Sequence, residues 1–268
     1  MTWKVALPMY NVSDAVTCGY DLLLDALIGI LQRNGWHEPI EKVHAPADLP
    51  GFWQRPDLLL SQTCGYPYMT RFQGRVHLLA TPCFDFSGCR GADYSSVIVV
   101  RADSGIGTLE DARGGVAAVN EMDSNSGMNL LRHAVAPLAR DGRFFRDVRV
   151  SGAHLASLAM LRDGNADVAA IDCITYAYAQ RHRPETVEAL RILQFTAWTP
   201  GLPFIASSTL TDERLRRLHA ALSELAECHA DLLQPLHITR FAHCSDADYA
   251  KVLRLEREAQ SLGYPCLA

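Results

Sequence analysis

Between the apolar run Val116–Val119 and a helical pattern that starts at Met128, the chain places Asp123-Ser124-Asn125-Ser126-Gly127. Hydroxyls, an amide and a glycine at the mouth of a helix are suited to holding an oxyanion. The first turn of a helix has N–H groups without intrahelical partners and a partial positive charge. Ser124, Asn125 and Ser126 add side-chain donors, and Gly127 lets a ligand come close to the backbone. A tetrahedral oxyanion can be bound in this way without a lysine or an arginine. Each charge-assisted hydrogen bond contributes about 1.5–3 kcal/mol. Four of them support micromolar binding, about 8 kcal/mol, after ordering costs. The plainer reading is a helix N-cap, for which Ser, Asn and Asp are the usual residues. One cap requires one such residue, and Asp123–Ser126 offers four.

Other polar residues fall at the ends of apolar runs. "SGAHLAS" puts His154 after a strand, at the opening of the next helix, and "AAID" puts Asp172 at the end of the following strand. "SQTCGYPY" places Gln62, Thr63 and Tyr66 at a strand end in the first part of the chain, and "ADYSSVIVV" places Tyr94 just before a strand. Taken singly, His154 reads as an ordinary histidine near a helix cap and Asp172 as a cap. Their shared location at strand ends points to one site.

The elements that position these residues follow from pattern. "WKVALPMY", "DLLLSQ", "VHLLATPCF", "YSSVIVV", "VAAVN", "RDVRVSG", "DVAAID" and "LRILQF" read as strands. "AVTCGYDLLLDALIGILQRNG" has helical spacing and ends at Gly35, a C-cap residue. "TLEDARGG" reads as a short helix in which Thr108 and Asp111 cap each other. Helices are also expected over "SGMNLLRHAVAPLARDG", "HLASLAMLRDGNA" and "CITYAYAQRH", and most of the chain after Thr211 reads as helical. Strands alternating with helices indicate an α/β protein with largely parallel sheets. Residues 101–197 form a self-contained βαβ block. Residues 1–100 and 198–268 then share another lobe, with crossings near Arg101 and Trp198. A site between such lobes lies at the carboxyl ends of strands.

Composition excludes several classes. The 268 residues are 49% hydrophobic and 21% charged, with a formal net charge of −5 and no Lys/Arg run. Nucleic-acid binding has no electrostatic footprint here. No apolar run approaches the roughly 18–20 residues of a membrane span. The eight cysteines are scattered, with no C-x-x-C pair and no His/Cys spacing for a metal. They read as reduced thiols, and no metal or cofactor is expected. Together with an N-terminus that lacks a signal pattern, this favours a reducing compartment. The expected location is therefore the cytoplasm for the sequence as it stands, or the periplasm if a leader has been removed.

Several segments carry a family resemblance: "LSQTCGYPY", "YSSVIVVRADSGIGTLEDARGGVAAVN", "DSNSGMNLLR", "SGAHLASLAMLRDGNADVAAID" and "TPGLPFIAS". Over nearly its whole length the chain resembles the phosphate/phosphite/phosphonate-binding proteins, substrate-binding components of ABC transporters. The resemblance implies a type II periplasmic-binding-protein fold, two α/β lobes with the ligand cleft between them. It implies a small oxyanion ligand held by Ser124, Asn125 and Ser126, with His154 and Asp172 beside them and an aromatic gate at Tyr66 and Tyr94. Tyr10, after the first strand, is expected to face the same cleft. Asn125 stands where the family has a hydroxyl. The implied partners are a phosphonate, phosphate or phosphite and an ABC permease, with the protein a monomer.

Two other functions fit parts of the pattern. Ser126, His154 and Asp172 occur in an order that suggests a hydrolase, but the G-x-S-x-G elbow is missing because position 124 is Ser. A cytosolic enzyme or ligand sensor on the same fold, related to thiamine-pyrimidine proteins, would use a reactive group such as Cys64 or His154. A binding protein without catalysis accounts for more of the residues.

Overall fold

Leu58–Gln62 is buried at every position and forms an inner strand of a six-stranded sheet. The computed structural model describes all residues, Met1–Ala268. The strands of this sheet lie in the order Ile238–Ala242, Val76–Phe84, Phe204–Ser207, Leu58–Gln62, Trp3–Ala6 and Ile40–Lys42. Trp3–Ala6 pairs parallel with both Ile40–Lys42 and Leu58–Gln62, and the remaining pairings are antiparallel. The helix Asp14–Arg33 begins where the Ser13 hydroxyl accepts from the Val16 N–H, and it ends before Gly35 at φ +85. A left-handed residue after the last turn favours glycine. Its buried residues, among them Leu23, Leu27 and Ile30, recur at the spacing of one helical face.

A second, five-stranded sheet runs Leu190–Phe195, Ser96–Arg101, Val168–Asp172, Val116–Val119, Asp147–Val150. Val97, Ile98, Val99 and Val100 are almost wholly buried. Each such side chain contributes about 1.5–3 kcal/mol by leaving water. The last three strands of this order are mutually parallel, whereas Ser96–Arg101 runs antiparallel to both its neighbours. Both sheets are therefore mixed, which corrects the expectation of largely parallel sheets. Parallel pairing needs a crossover connection, usually a helix. Ser96–Arg101 and Phe204–Ser207 enter their sheets from the other sheet's chain segments, with no crossover helix to constrain them.

The chain divides into two compact units. The first comprises Met1–Asp85, Arg90–Ala92 and Pro200–Asp248, and the second comprises Phe86–Cys89, Asp93–Thr199 and Tyr249–Ala268. Two features differ from the expected lobes of 1–100 plus 198–268 and 101–197. Ser96–Arg101 belongs to the second unit because it pairs with Val168–Asp172 and Leu190–Phe195. Tyr249–Ala268 also belongs there. Asn129 Nδ2 donates to the Val252 carbonyl at 3.2 Å, Arg132 to the Pro265 carbonyl at 2.9 Å, and the Phe144 and Phe145 N–H groups to the Ala268 carbonyl. The strand Ile238–Ala242, with its exposed Thr239 and Arg240, interrupts the region expected to be mostly helical.

This topology determines what meets at one edge of the second sheet. Val116–Val119, Asp147–Val150 and Val168–Asp172 are parallel, so Asn120, His154 and Cys173 follow strands that end on the same side. Asp172 lies opposite Ser96 in the antiparallel register, which brings the residues before Ser96 to that side as well. In the first unit, Trp3–Ala6 and Leu58–Gln62 likewise end together, ahead of Tyr10 and Thr63.

Candidate functional site

The helix that opens after Val116–Val119 starts at Asn125, as a wide turn over Asn125–Asn129 followed by regular helix over Leu130–Val135. Ser124 is the N-cap, and its Oγ accepts from the Gly127 N–H at 3.0 Å. Ser126 is the second residue of that first turn. Its Oγ is 2.8 Å from His154 Nε2 and 3.4 Å from Ser124 Oγ, while the Ser96 hydroxyl donates to the Ser126 carbonyl at 3.0 Å. Three strand ends thus converge on Ser126. Ser124 and Ser126 are both buried.

His154 is half-buried, and desolvation of its ring pushes its pKa down from 6.5 to about 4. The imidazole is therefore neutral at pH 7 and carries one N–H. Its Nδ1 is buried without a hydrogen-bond partner. An orphaned N–H is rarer in proteins than an under-used acceptor. The proton accordingly belongs on Nε2, from which His154 donates to Ser126 Oγ. That arrangement leaves the Ser126 hydroxyl proton to point elsewhere.

Asn125 has a different place from its neighbours. It is fully buried, and Nδ2 donates to Tyr94 Oη at 3.1 Å and to Thr199 Oγ1 at 2.9 Å. Its Oδ1 accepts from Asn129 Nδ2 at 3.0 Å. The Asn125 amide is thus committed within the fold, in a network that also takes in Arg132, which donates to Asn129 Oδ1 at 2.7 Å. Gly127 departs from expectation too. The space that a Cβ would take is filled by the Asn120 side chain, with Oδ1 only 1.9 Å from the ideal Cβ position. Close approach here serves Asn120.

Asp172 is 2% exposed and caps the helix Cys173–His182, its Oδ1 accepting from the Ile174 N–H at 2.8 Å and the Thr175 N–H at 3.1 Å. Tyr94 is buried beside Asn125. Of the residues singled out in sequence, Tyr94, Ser124, Asn125, Ser126, His154 and Asp172 all lie in the second unit, at this one sheet edge. Thr199, Asn129, Ser96 and Asn120 complete it without having been anticipated. Asn125 and Asn129 stand four apart and share a helix face, a signal that was readable. Thr199 lies 74 residues from Asn125, and nothing local indicates that contact.

Tyr10 and Tyr66 belong to the first unit. The Tyr10 ring stacks on Tyr20 at 6.3 Å and meets Phe84 edge-on at 5.7 Å. It is 1% exposed, an inner aromatic of that unit. Tyr66 is partly exposed, and its carbonyl accepts from the Thr70 hydroxyl at 2.8 Å. Nearby, Gln62 Nε2 donates to the Leu202 carbonyl at 3.0 Å, whereas Gln62 Oε1, Thr63 Oγ1 and Ser61 Oγ are buried without partners. Each such atom costs about 1–3 kcal/mol. No three His, Cys, Asp or Glu side chains are grouped to hold a metal ion, and no helix is long and apolar enough to cross a membrane.

Known proteins share this architecture. The PhnD1 protein of Prochlorococcus marinus in complex with methylphosphonate superposes with a TM-score of 0.78 at 14% identity, over 97% of this chain and 98% of that one. A binding protein component of an ABC phosphonate transporter from Pseudomonas aeruginosa gives 0.77 at 17% identity, over 98% and 87%. A Xanthomonas citri protein bound to ATP gives 0.71 at 18% identity, over 98% of each chain. At these identities the likeness establishes the fold, that of the periplasmic-binding proteins. A comparison with curated protein sequences finds no match. Residues 55–249 match the family described as ABC transporter, phosphonate, periplasmic substrate-binding protein. These residues span most of the chain, which therefore belongs to that family of transporter substrate-binding proteins, a family of carriers for small molecules and not of enzymes.

Proposed function

We propose that the protein binds a small phosphorus oxyanion, a phosphonate or a phosphate-like ion, at the helix mouth Ser124–Gly127, for delivery to an ABC permease. The observation that carries this reading is the Ser126–His154 pair at 2.8 Å, a buried hydroxyl against a half-buried imidazole at the start of a helix where three strand ends meet. His154 donates from Nε2 and orients Ser126, whose own proton is then available to a ligand oxygen. The first helical N–H groups supply further donors. The Asp172 carboxylate, buried at the same edge, disfavours a fully ionised ligand and favours one that keeps a proton. Sulfate has no such proton at neutral pH. Asn125 and Tyr94 support the site by fixing the first turn.

A calorimetric titration tests the reading with methylphosphonate, phosphate, phosphite, aminoethylphosphonate, sulfate, an alkanesulfonate and ATP. Saturable binding of one of the phosphorus oxyanions, with sulfate and the sulfonate inert, is the expected result. Binding of the sulfonate or of ATP alone would overturn the ligand class while leaving the family membership intact.

A further inference from the structure

Cys89 and Cys173 are 84 residues apart in sequence, yet their sulfurs lie 3.5 Å from each other. Both belong to the second unit. Cys173 is buried and is the first residue of the helix Cys173–His182, directly after Asp172. Cys89 is half-buried, in a turn closed by its own N–H donating to the Phe86 carbonyl at 3.0 Å. The backbone around the pair is tightly held. Ser95 donates to the Gly88 carbonyl from both N–H, at 2.9 Å, and Oγ, at 3.0 Å, and the Cys173 N–H donates to the Ser95 carbonyl at 3.2 Å. Gly88 has φ +93, and a Cβ there would lie 2.9 Å from Cys173 Cβ. Only glycine lets this turn press against the cysteine.

A thiol is a weak hydrogen-bonding group, so contact between two thiols adds little to stability as it stands. A covalent bond would use the same geometry. The sulfur separation in a disulfide is about 2.05 Å, and side-chain torsions can close the remaining gap of about 1.5 Å. Periplasmic binding proteins work in a compartment that is kept oxidising.

We propose that Cys89 and Cys173 form a disulfide, an oxidation site that locks the turn Phe86–Cys89 to the start of the helix Cys173–His182. The Cys89 thiolate attacks a disulfide oxidant, either a small-molecule disulfide or a thiol–disulfide oxidoreductase, and one thiolate of that oxidant leaves. Cys173 then loses its proton and attacks Cys89 Sγ, displacing the second thiolate. Two protein thiols are oxidised to one disulfide, and one oxidant disulfide is reduced to two thiols. The order follows from access, since Cys89 is the sulfur that solvent reaches. The hydrogen bond with Cys89, together with burial, holds the Cys173 thiol well above its usual range, and because only the thiolate attacks, closure by Cys173 is the slow step of the oxidation.

The test uses the full chain, equilibrated with either oxidised glutathione or dithiothreitol, then alkylated under denaturing conditions and mapped by mass spectrometry. The expected result is a linked pair of Cys89 and Cys173 peptides in the oxidised sample, absent after reduction. Oxidation is also expected to raise the melting temperature by roughly 5–10 °C. Cys89→Ser, at a half-buried position, should melt at one temperature under both conditions. Full alkylation of both cysteines after exposure to oxidised glutathione would overturn the proposal. A redox-dependent shift that persists in Cys89→Ser would overturn it as well. None of these readouts involves the transported ligand.

Discussion

Ser126 and Asn125 are adjacent, yet the fold uses them in opposite ways. Ser126 meets His154 with an oxygen that can still donate, whereas the Asn125 amide spends both its N–H groups and an acceptor position on bonds within the fold. Ser126→Ala is therefore expected to weaken ligand binding by about 1–3 kcal/mol, or roughly 5–150-fold in Kd, along with a loss of stability of about 1–3 kcal/mol because the His154 N–H loses its acceptor. Calorimetry on the folded variant measures this. Asn125→Ala should act on the fold, lowering stability by about 2–4 kcal/mol through three lost buried hydrogen bonds. Urea unfolding of the unliganded protein measures that cost. His154 adds a pH dependence. Unfolded, it takes a proton near 6.5, whereas in the folded protein it does so only at about 4. The stability linked to its neutrality is complete above pH 6.5 and is lost as pH falls through 6.5 toward 4. The loss is about 3 kcal/mol in all. His154→Gln should flatten that limb of the stability–pH curve, as measured by denaturant melts between pH 7 and 4. A site of two hydroxyls and a cap was legible in the sequence because the types cluster within four residues. The inward role of Asn125 was not, because composition does not say which side of a first turn faces the fold.

At the scale of the element, the helix mouth is held by parts that come from three separate segments, 94–96, 120 and 199. Ser96 fixes the Ser126 carbonyl, Tyr94 and Thr199 fix Asn125, and Asn120 packs into the space beside Gly127. Gly127→Ala would put a methyl group onto the Asn120 amide and should destabilise the protein by about 1–3 kcal/mol. The double variant Gly127→Ala/Asn120→Ala should recover most of that loss. Additive costs in the double-mutant cycle would mean that the two residues do not share this space. The strands feeding this edge were readable because their apolar runs are β-branched and bounded by polar turns. Ile40–Lys42, with only three residues, and Ile238–Ala242, with polar Thr239 and Arg240, gave no comparable signal. Their pairing comes from neighbours far away in sequence, Trp3–Ala6 and Val76–Phe84. Capping was legible where it is local: Thr108 and Asp111 exchange hydrogen bonds as their spacing implies.

At the scale of the whole molecule, each unit is assembled from separated stretches of chain. Alternation of strands and helices revealed the α/β class. It did not reveal that the last helix joins the second unit, because that choice rests on a few long-range polar contacts. Arg132 is central to them. It is 4% exposed, it donates to the Pro265 carbonyl and to Asn129, and its guanidinium lies 3.3 Å from a Glu256 oxygen. Arg132→Met should cost about 2–4 kcal/mol, since it removes one member of a buried, hydrogen-bonded pair. Faster amide hydrogen exchange over residues 249–268 would accompany the loss. The same arrangement governs how the protein is made. A nascent chain that has emerged only as far as Ser207 lacks the edge strand Ile238–Ala242 of one sheet and the helix Asp246–Ser261 that the other unit needs. Contacts such as that of Gln62 with Leu202 close a loop of 140 residues, and long loops make folding slow. Neither core can be completed until synthesis is nearly over, so both units need residues from 238–268 before they can close.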